Sequence, residues 1–351
     1  MMELLHFIGL FLETNIVFGA IVAAFLLGRN DRLQLPAWPL AITGFALGPL
    51  ITTLVLYYTL ALWHGVPAMV AQSLPVLGFA ALAFLAGDGW GRLWDMIRVL
   101  PAQLFHDRSL WPFLLGSAFL LFVTVVFLVN KPLIDHDVLE YALQGRVFLR
   151  DMAIVYQHHP FDTATGFYYV GLHGHSFPLL FTWEGLQAQA MEIRSDLWGR
   201  SITMWYGWLL ITFVWAVLRR LGHWVAVAGG IALTAAMGFL FLLTIYHLDS
   251  YRIFFFCTSV AAFVMMLRAP SPHRLALFAA LCGAHAFIHS IGAILSGALW
   301  LVMLVFVQVP LPVRLRWGLR AAGIMLAFGA IHYVADILFG TGWIFQDIRW
   351  F

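Results

Sequence analysis

Charge is what this chain has least of. Asp, Glu, Lys and Arg together make up 10% of its 351 residues, against 62% hydrophobic, and the mean hydropathy is +0.89. A soluble domain carries about 25% charge and roughly 45–50% apolar residues. A chain this apolar cannot cover its own surface with polar groups, so lipid is its solvent. The net charge of +2 is small, and no basic run or stacking platform is present, which sets nucleic-acid binding aside. Cysteine is nearly absent. Cys257 and Cys282 both sit in apolar stretches without a CxxC partner, which excludes a disulfide framework and a cysteine metal site. Internal repeats and low-complexity segments are also lacking. The N-terminus, MMELLHFIGLF, has neither a basic leader nor a small-residue cleavage site and reads as a retained first span.

What is there is a series of long apolar runs. A span needs about 17–25 residues. Ten segments come near that length: 4–27, 37–63, 67–86, 112–130, 201–218, 223–245, 252–268, 275–289, 291–309 and 315–338. They lack the two-residue alternation of a barrel, so helices are expected. The reading is an all-α polytopic membrane protein, one transmembrane domain over 1–351 with about ten spans. Twelve basic residues, including Arg29, Arg92, Arg219, Arg220, Arg268, Arg316 and Arg320, fall after the odd-numbered spans, and seven fall on the other side. By the positive-inside rule both termini and a long loop, residues 131–200, face out of the cytoplasm. The expected location is a cell (inner) membrane. Trp63, Trp111, Trp183, Trp198 and Trp224 near the span ends read as an interfacial belt.

The polar residues collect in that loop. Five of the 14 histidines lie within residues 136–175. Two amphipathic surface helices are expected, over 137–150 and about 185–199, flanking an irregular His- and aromatic-rich segment, 157–180. The sharpest feature is IDHDVLEYALQGR, residues 134–146. Asp137 with Glu140 fits a capping box. Asp135 or Asp137 also suits a general base, and a capped carboxylate is a positioned one, so the two readings are compatible.

This segment resembles the first outward loop of the GT-C glycosyltransferases, nearest to the branch of protein mannosyltransferases and aminoarabinose transferases. That branch has an Asp-Glu-type pair just after a span and a Tyr-Ala pair on a surface helix. Here Asp137 stands four residues before Tyr141-Ala142, at the family spacing. Val138 replaces the second acid, leaving Asp135 and Glu140 to supply it. Residues 173–185, HGHSFPLLFTWEG, resemble the family's Pro-Leu segment, with Phe177 in place of the usual Lys. YHLDSYRIFFF, residues 246–256, is similar to a pattern in which an Arg and an acid open a span.

The resemblance implies a polyprenyl-phosphate-linked sugar as donor, a glycan, lipid or protein as acceptor, and inverting transfer on the periplasmic face. Asp137, helped by Asp135, would be the base. Donor and acceptor would be held by Glu140, Tyr141, His158, His159, His173, His175, Glu184, His247, Asp249, Arg252, His285 and His289. Arg matches phosphate oxygens bidentately; alternatively Asp249 and Arg252 pair with each other. A divalent metal on Asp135, Asp137, His158 and His159 is a weaker alternative, because adjacent loop histidines are a poor metal signal. His285 and His289 share a helical face but lack the intervening Glu of HExxH. Glu13 and Asp336, inside spans, are functional candidates of a different kind. They would suit the other readings: a transporter or flippase for a lipid-linked solute, or a non-catalytic membrane subunit with a partner.

Overall fold

The computed structural model describes residues 2–106, 111–130, 136–154, 161–162, 167–168, 174–189, 191–193, 195–235 and 248–338. The described chain is almost wholly helical. In order, the helices are α1 (Met2–Gly28), α2 (Ala37–Leu62), α3 (Ala68–Leu85), α4 (Gly89–His106), α5 (Trp111–Asn130), α6 (His136–Asp151), α7 (Ser176–Gln189), α8 (Leu197–Leu218) and α9 (His223–Ala235). They continue with α10 (Asp249–Arg268), α11 (Pro272–Ile288), α12 (Ser290–Phe306), α13 (Leu311–Met325) and α14 (Ile331–Leu338). Two short antiparallel strands, Phe161–Asp162 and Phe167–Tyr168, pair Phe161 with Tyr168 and Asp162 with Phe167.

A helix lies on each of the ten expected segments. Among the described residues six helical stretches are long and apolar enough to cross a membrane: α1, α2, α3, α8, α10 and Leu311–Ala335. Leu77 on α3, Phe122 on α5, Val305 on α12 and Leu319 on α13 are large, apolar and exposed, a surface that lipid stabilises and water does not. The protein is thus an α-helical, multi-pass membrane protein.

Two connections differ from expectation. Residues 89–106, part of the basic connection expected after the third span, form the 18-residue helix α4. Its exposed Trp94 and Ile97 lie close in sequence to Arg92 and Arg98; scattered charge hid a helical period. The surface helix expected over about 185–199 is displaced. Helix α7 occupies Ser176–Gln189, and Leu197 already belongs to membrane-length α8. Trp183, Glu184 and Trp198 are buried, because the face read as lipid-directed packs against protein. The other surface helix is present as α6.

The chain divides into two compact units. Unit 1 comprises residues Met1–Thr52, Gln72–Leu139 and Glu184–Phe254; unit 2 comprises Thr53–Ala71, Glu140–Trp183 and Phe255–Phe351. Unit 1 is held by small residues. A Cβ on Gly44 would collide with the Ala23 backbone, and one on Gly48 would sit 2.8 Å from the Thr14 carbonyl oxygen. The Gly44-x-x-x-Gly48 spacing on α2 is what lets two membrane helices approach so closely. Helix α1 carries a π turn over Leu12–Val17. It places Asn15 so that its Oδ1 accepts from the Trp198 indole N–H at 2.8 Å, with both residues buried. Phe11 meets Trp205 edge-on one turn earlier, at 5.4 Å. Asn15→Leu would leave the indole donor buried without this acceptor, so a loss of about 1–3 kcal/mol is expected. Chemical unfolding in detergent measures it, and an unchanged midpoint would show that the bond is unimportant.

Unit 2 contains α11 to α14 with the flanking segments. Ser271 caps α11, accepting from Arg274 N–H at 3.2 Å, and Pro272 follows at the first position, the expected start signal. Arg274 donates back to the carbonyls of Met265 and Ala269, tying the end of α10 to the start of α11. Between α13 and α14 the helix breaks at Phe328-Gly329. Gly329 has φ 125°, which costs glycine little, and any Cβ there would strike the Phe287 side chain.

Candidate functional site

The expected base lies on a well-anchored helix. Helix α6 begins at His136, so Asp137 stands inside its first turn and not at the cap before it. That corrects the capping-box reading: from a helix starting at 136, Glu140 is too far along to be the reciprocal partner. The side chains of Asp137 and Glu140 are outside the described residues, as are Asp135, His158, His159, His173 and His247. One turn further on, α6 is locked down. Tyr141, Ala142 and Phe148 are buried, and Tyr141 meets Phe177 of α7 edge-on at 5.2 Å. Gly145 lies so close to α7 that a Cβ would collide with the Pro178 carbonyl oxygen. Thr182 Oγ donates to the Gly145 carbonyl at 2.9 Å. The far end is tied down as well: Gly65 N–H donates to Met152 O at 2.9 Å, and Ile154 N–H to Leu60 O at 3.2 Å. The Tyr-Ala pair of the acidic segment and the Pro-Leu segment, Pro178-Leu179, thus face each other within unit 2.

A second group in unit 2 centres on His175. Its ring is buried, stacked on Tyr57 at 5.7 Å and edge-on to Phe148 at 5.7 Å. His332 of α14 lies 5.1 Å from it, centroid to centroid. Burial, and next the neighbouring His332, hold His175 well below the ordinary histidine range, so it is neutral at physiological pH. His332 Nδ1 lies 2.6 Å from the Gly329 carbonyl oxygen. That contact requires the proton on Nδ1, leaving Nε2 as an acceptor. Neither Tyr57 nor His332 was singled out by the sequence, because a lone His or Tyr in an apolar run reads as core. The break at Gly329 lies three residues before His332.

His285 and His289 stay apart in role. His289 is the cap of α12, its Nδ1 accepting from Ile291 N–H at 3.0 Å. His285 is buried beside Ser296, at 3.4 Å, and Phe256. Among the described residues no three His, Cys, Asp or Glu side chains gather as a metal site.

Unit 1 holds the other described candidates. Glu184 is wholly buried and takes the place of a cap for α8. Its two oxygens accept from Trp198 N–H at 3.0 Å and Gly199 N–H at 2.9 Å. Burial outweighs these N–H groups and pushes its carboxyl up to about 7. The folded pKa is above the unfolded value of 4.5, so folding takes up a proton. The resulting stabilisation is complete below pH 4.5 and is lost as pH rises through 7, amounting to about 3 kcal/mol. Wild type should therefore lose that much stability relative to Glu184→Gln across this window. Unfolding midpoints that run parallel with pH would rule it out.

Asp249 and Arg252, expected at a donor phosphate, form an ion pair on the first turn of α10. Beside them Ser250 Oγ donates to the Thr203 carbonyl at 2.6 Å, and Tyr251 stacks on Tyr206 at 4.0 Å. A phosphate here would have to compete with the Asp249 carboxylate for the guanidinium.

Comparison of the chain with protein-family models, with curated proteins and with solved structures returned no match.

Proposed function

We propose that this chain is a membrane glycosyltransferase of GT-C type. In this reading it moves a sugar from a polyprenyl-phosphate donor to an acceptor on the extracytoplasmic face of a cell membrane with about ten spans. One observation carries the reading. The helix that opens with the acidic segment is locked, through Tyr141 and Gly145, onto the helix that carries Pro178-Leu179. Two of the three segments on which the family likeness rests are packed together, and Asp137 stands in the first turn of a helix held at both ends. Asp137 would take the proton of the acceptor hydroxyl or amine. The acceptor would attack the anomeric carbon, and the lipid phosphate would leave with the bonding electrons. His175 would act as a neutral, buried donor or acceptor rather than as a charge.

The test is direct: purify the chain, identify co-purified lipid by mass spectrometry, and assay sugar transfer from that lipid after reconstitution. A polyprenyl-phosphate sugar and turnover are expected. Absence of transfer from every polyprenyl-phosphate sugar supplied would remove the reading. A second reading, movement of a lipid-linked solute across the membrane, draws on the broken helix at Phe328-Gly329, since interrupted helices recur at transport sites. It expects solute movement across sealed vesicles without sugar transfer.

A further inference from the structure

We propose that unit 1 carries a binding site for the headgroup of an anionic phospholipid. The site is a cavity of about 350 Å³ walled by Pro36, Trp38 and Pro39 on one side and Trp215, Arg219 and Arg220 on the other. Helix α2 begins at Ala37 and α8 ends at Leu218. The cavity therefore lies where two membrane-length helices end, at the depth of lipid headgroups. None of its eight lining residues is acidic, and two are guanidinium cations. Arg219 lies over the Trp215 ring, 5.3 Å from its centroid, a stack that restrains the guanidinium plane. Guanidinium groups match phosphate oxygens in pairs. Pro36 and Pro39 have no backbone N–H, which leaves the arginines prominent among the donors. The two indoles have the amphipathic character of residues at the membrane boundary. The volume is within the usual range for a small-molecule site, about 300–1,000 Å³. It accommodates a phosphate and a glycerol, with the acyl chains lying outside along the helices. Arg219 and Arg220 are among the basic residues expected on the cytoplasmic side, so the site belongs to that leaflet. The inference does not depend on the transferase reading.

Native mass spectrometry of the full chain, released from micelles doped with phosphatidylglycerol or phosphatidylcholine, tests it. Wild type should retain phosphatidylglycerol in preference. Arg219→Gln/Arg220→Gln should retain it roughly tenfold less, as expected for loss of charge-assisted bonds to one phosphate, with phosphatidylcholine unchanged. The control Arg316→Gln/Arg320→Gln removes the same charge from another exposed basic stretch and should behave as wild type. Equal retention by the site variant would overturn the proposal. So would an equal loss in the control, which would mean bulk charge alone. Displacement of the lipid by excess inorganic phosphate, with phosphate retained in its place, would make it a free-phosphate site and also overturn it. If the double variant melts early, Arg220→Gln alone carries the comparison, with a smaller loss expected in the same direction.

Discussion

Asp137→Asn is expected to lower sugar transfer by about 10²–10⁴-fold, the usual contribution of a general base, with the donor lipid still bound. The amide keeps the size of the side chain and its ability to accept a bond, but it cannot take a proton. The loss should fall on kcat rather than on KM, because the base acts as the acceptor attacks. Asp135→Asn, which removes the helping carboxylate, should cost less. Full transfer by purified, reconstituted Asp137→Asn would remove Asp137 from the role. Loss of bound lipid together with activity would instead make it a binding residue. The expectation depends on a feature of the backbone. Helix α6 starts at His136, so residue 137 is held by a hydrogen-bonded turn and not by a mobile loop.

The second large effect is on the helix itself. Gly145→Val should destabilise the protein by about 3 kcal/mol, the upper end of what overpacking costs, and should abolish transfer. A Cβ at 145 would strike the Pro178 carbonyl oxygen and come within 2.8 Å of Phe181 Cβ. Neither neighbour is the far end of a flexible chain. The helices must separate, and with them go the Thr182 bond to the Gly145 carbonyl and the Tyr141–Phe177 contact. Gly78 on α3 is the matched control: a Cβ there meets nothing within 4 Å, so Gly78→Ala should be neutral or slightly stabilising. Thermal unfolding of both variants in the same detergent decides the matter. If Gly145→Val melts with wild type, α6 is not docked on α7 as described.

The Glu184 prediction separates two effects that act in opposite directions. The N–H groups of Trp198 and Gly199 favour its anion, and burial favours its acid. Burial is the larger, because the carboxylate is wholly removed from solvent, which disfavours its charged form. For that reason the pH dependence has the opposite sign to that of an exposed acid in an ion pair.

Much of this protein was legible in its residues. Membrane residence followed from 62% hydrophobic content, because solvent choice is set by composition before any fold forms. The helical segments followed from run length, and α6 from the spacing of Leu139, Ala142, Leu143 and Val147. The start of α6 was near its chemical signal, the acidic pair. Other features needed the tertiary structure. Burial of Glu184 and Trp198 could not be read, because an apolar face looks the same whether lipid or protein covers it. The meeting of His175 with His332 joins residues far apart in sequence, which no local pattern encodes. The pairing of Asp249 with Arg252 was left open by spacing that permits both an ion pair and a phosphate site, and side-chain geometry decided it. Local pattern determines what a segment can become, because turn chemistry and periodicity act over a few residues. Which buried groups meet is decided by packing between segments, and that information is distributed over the whole chain.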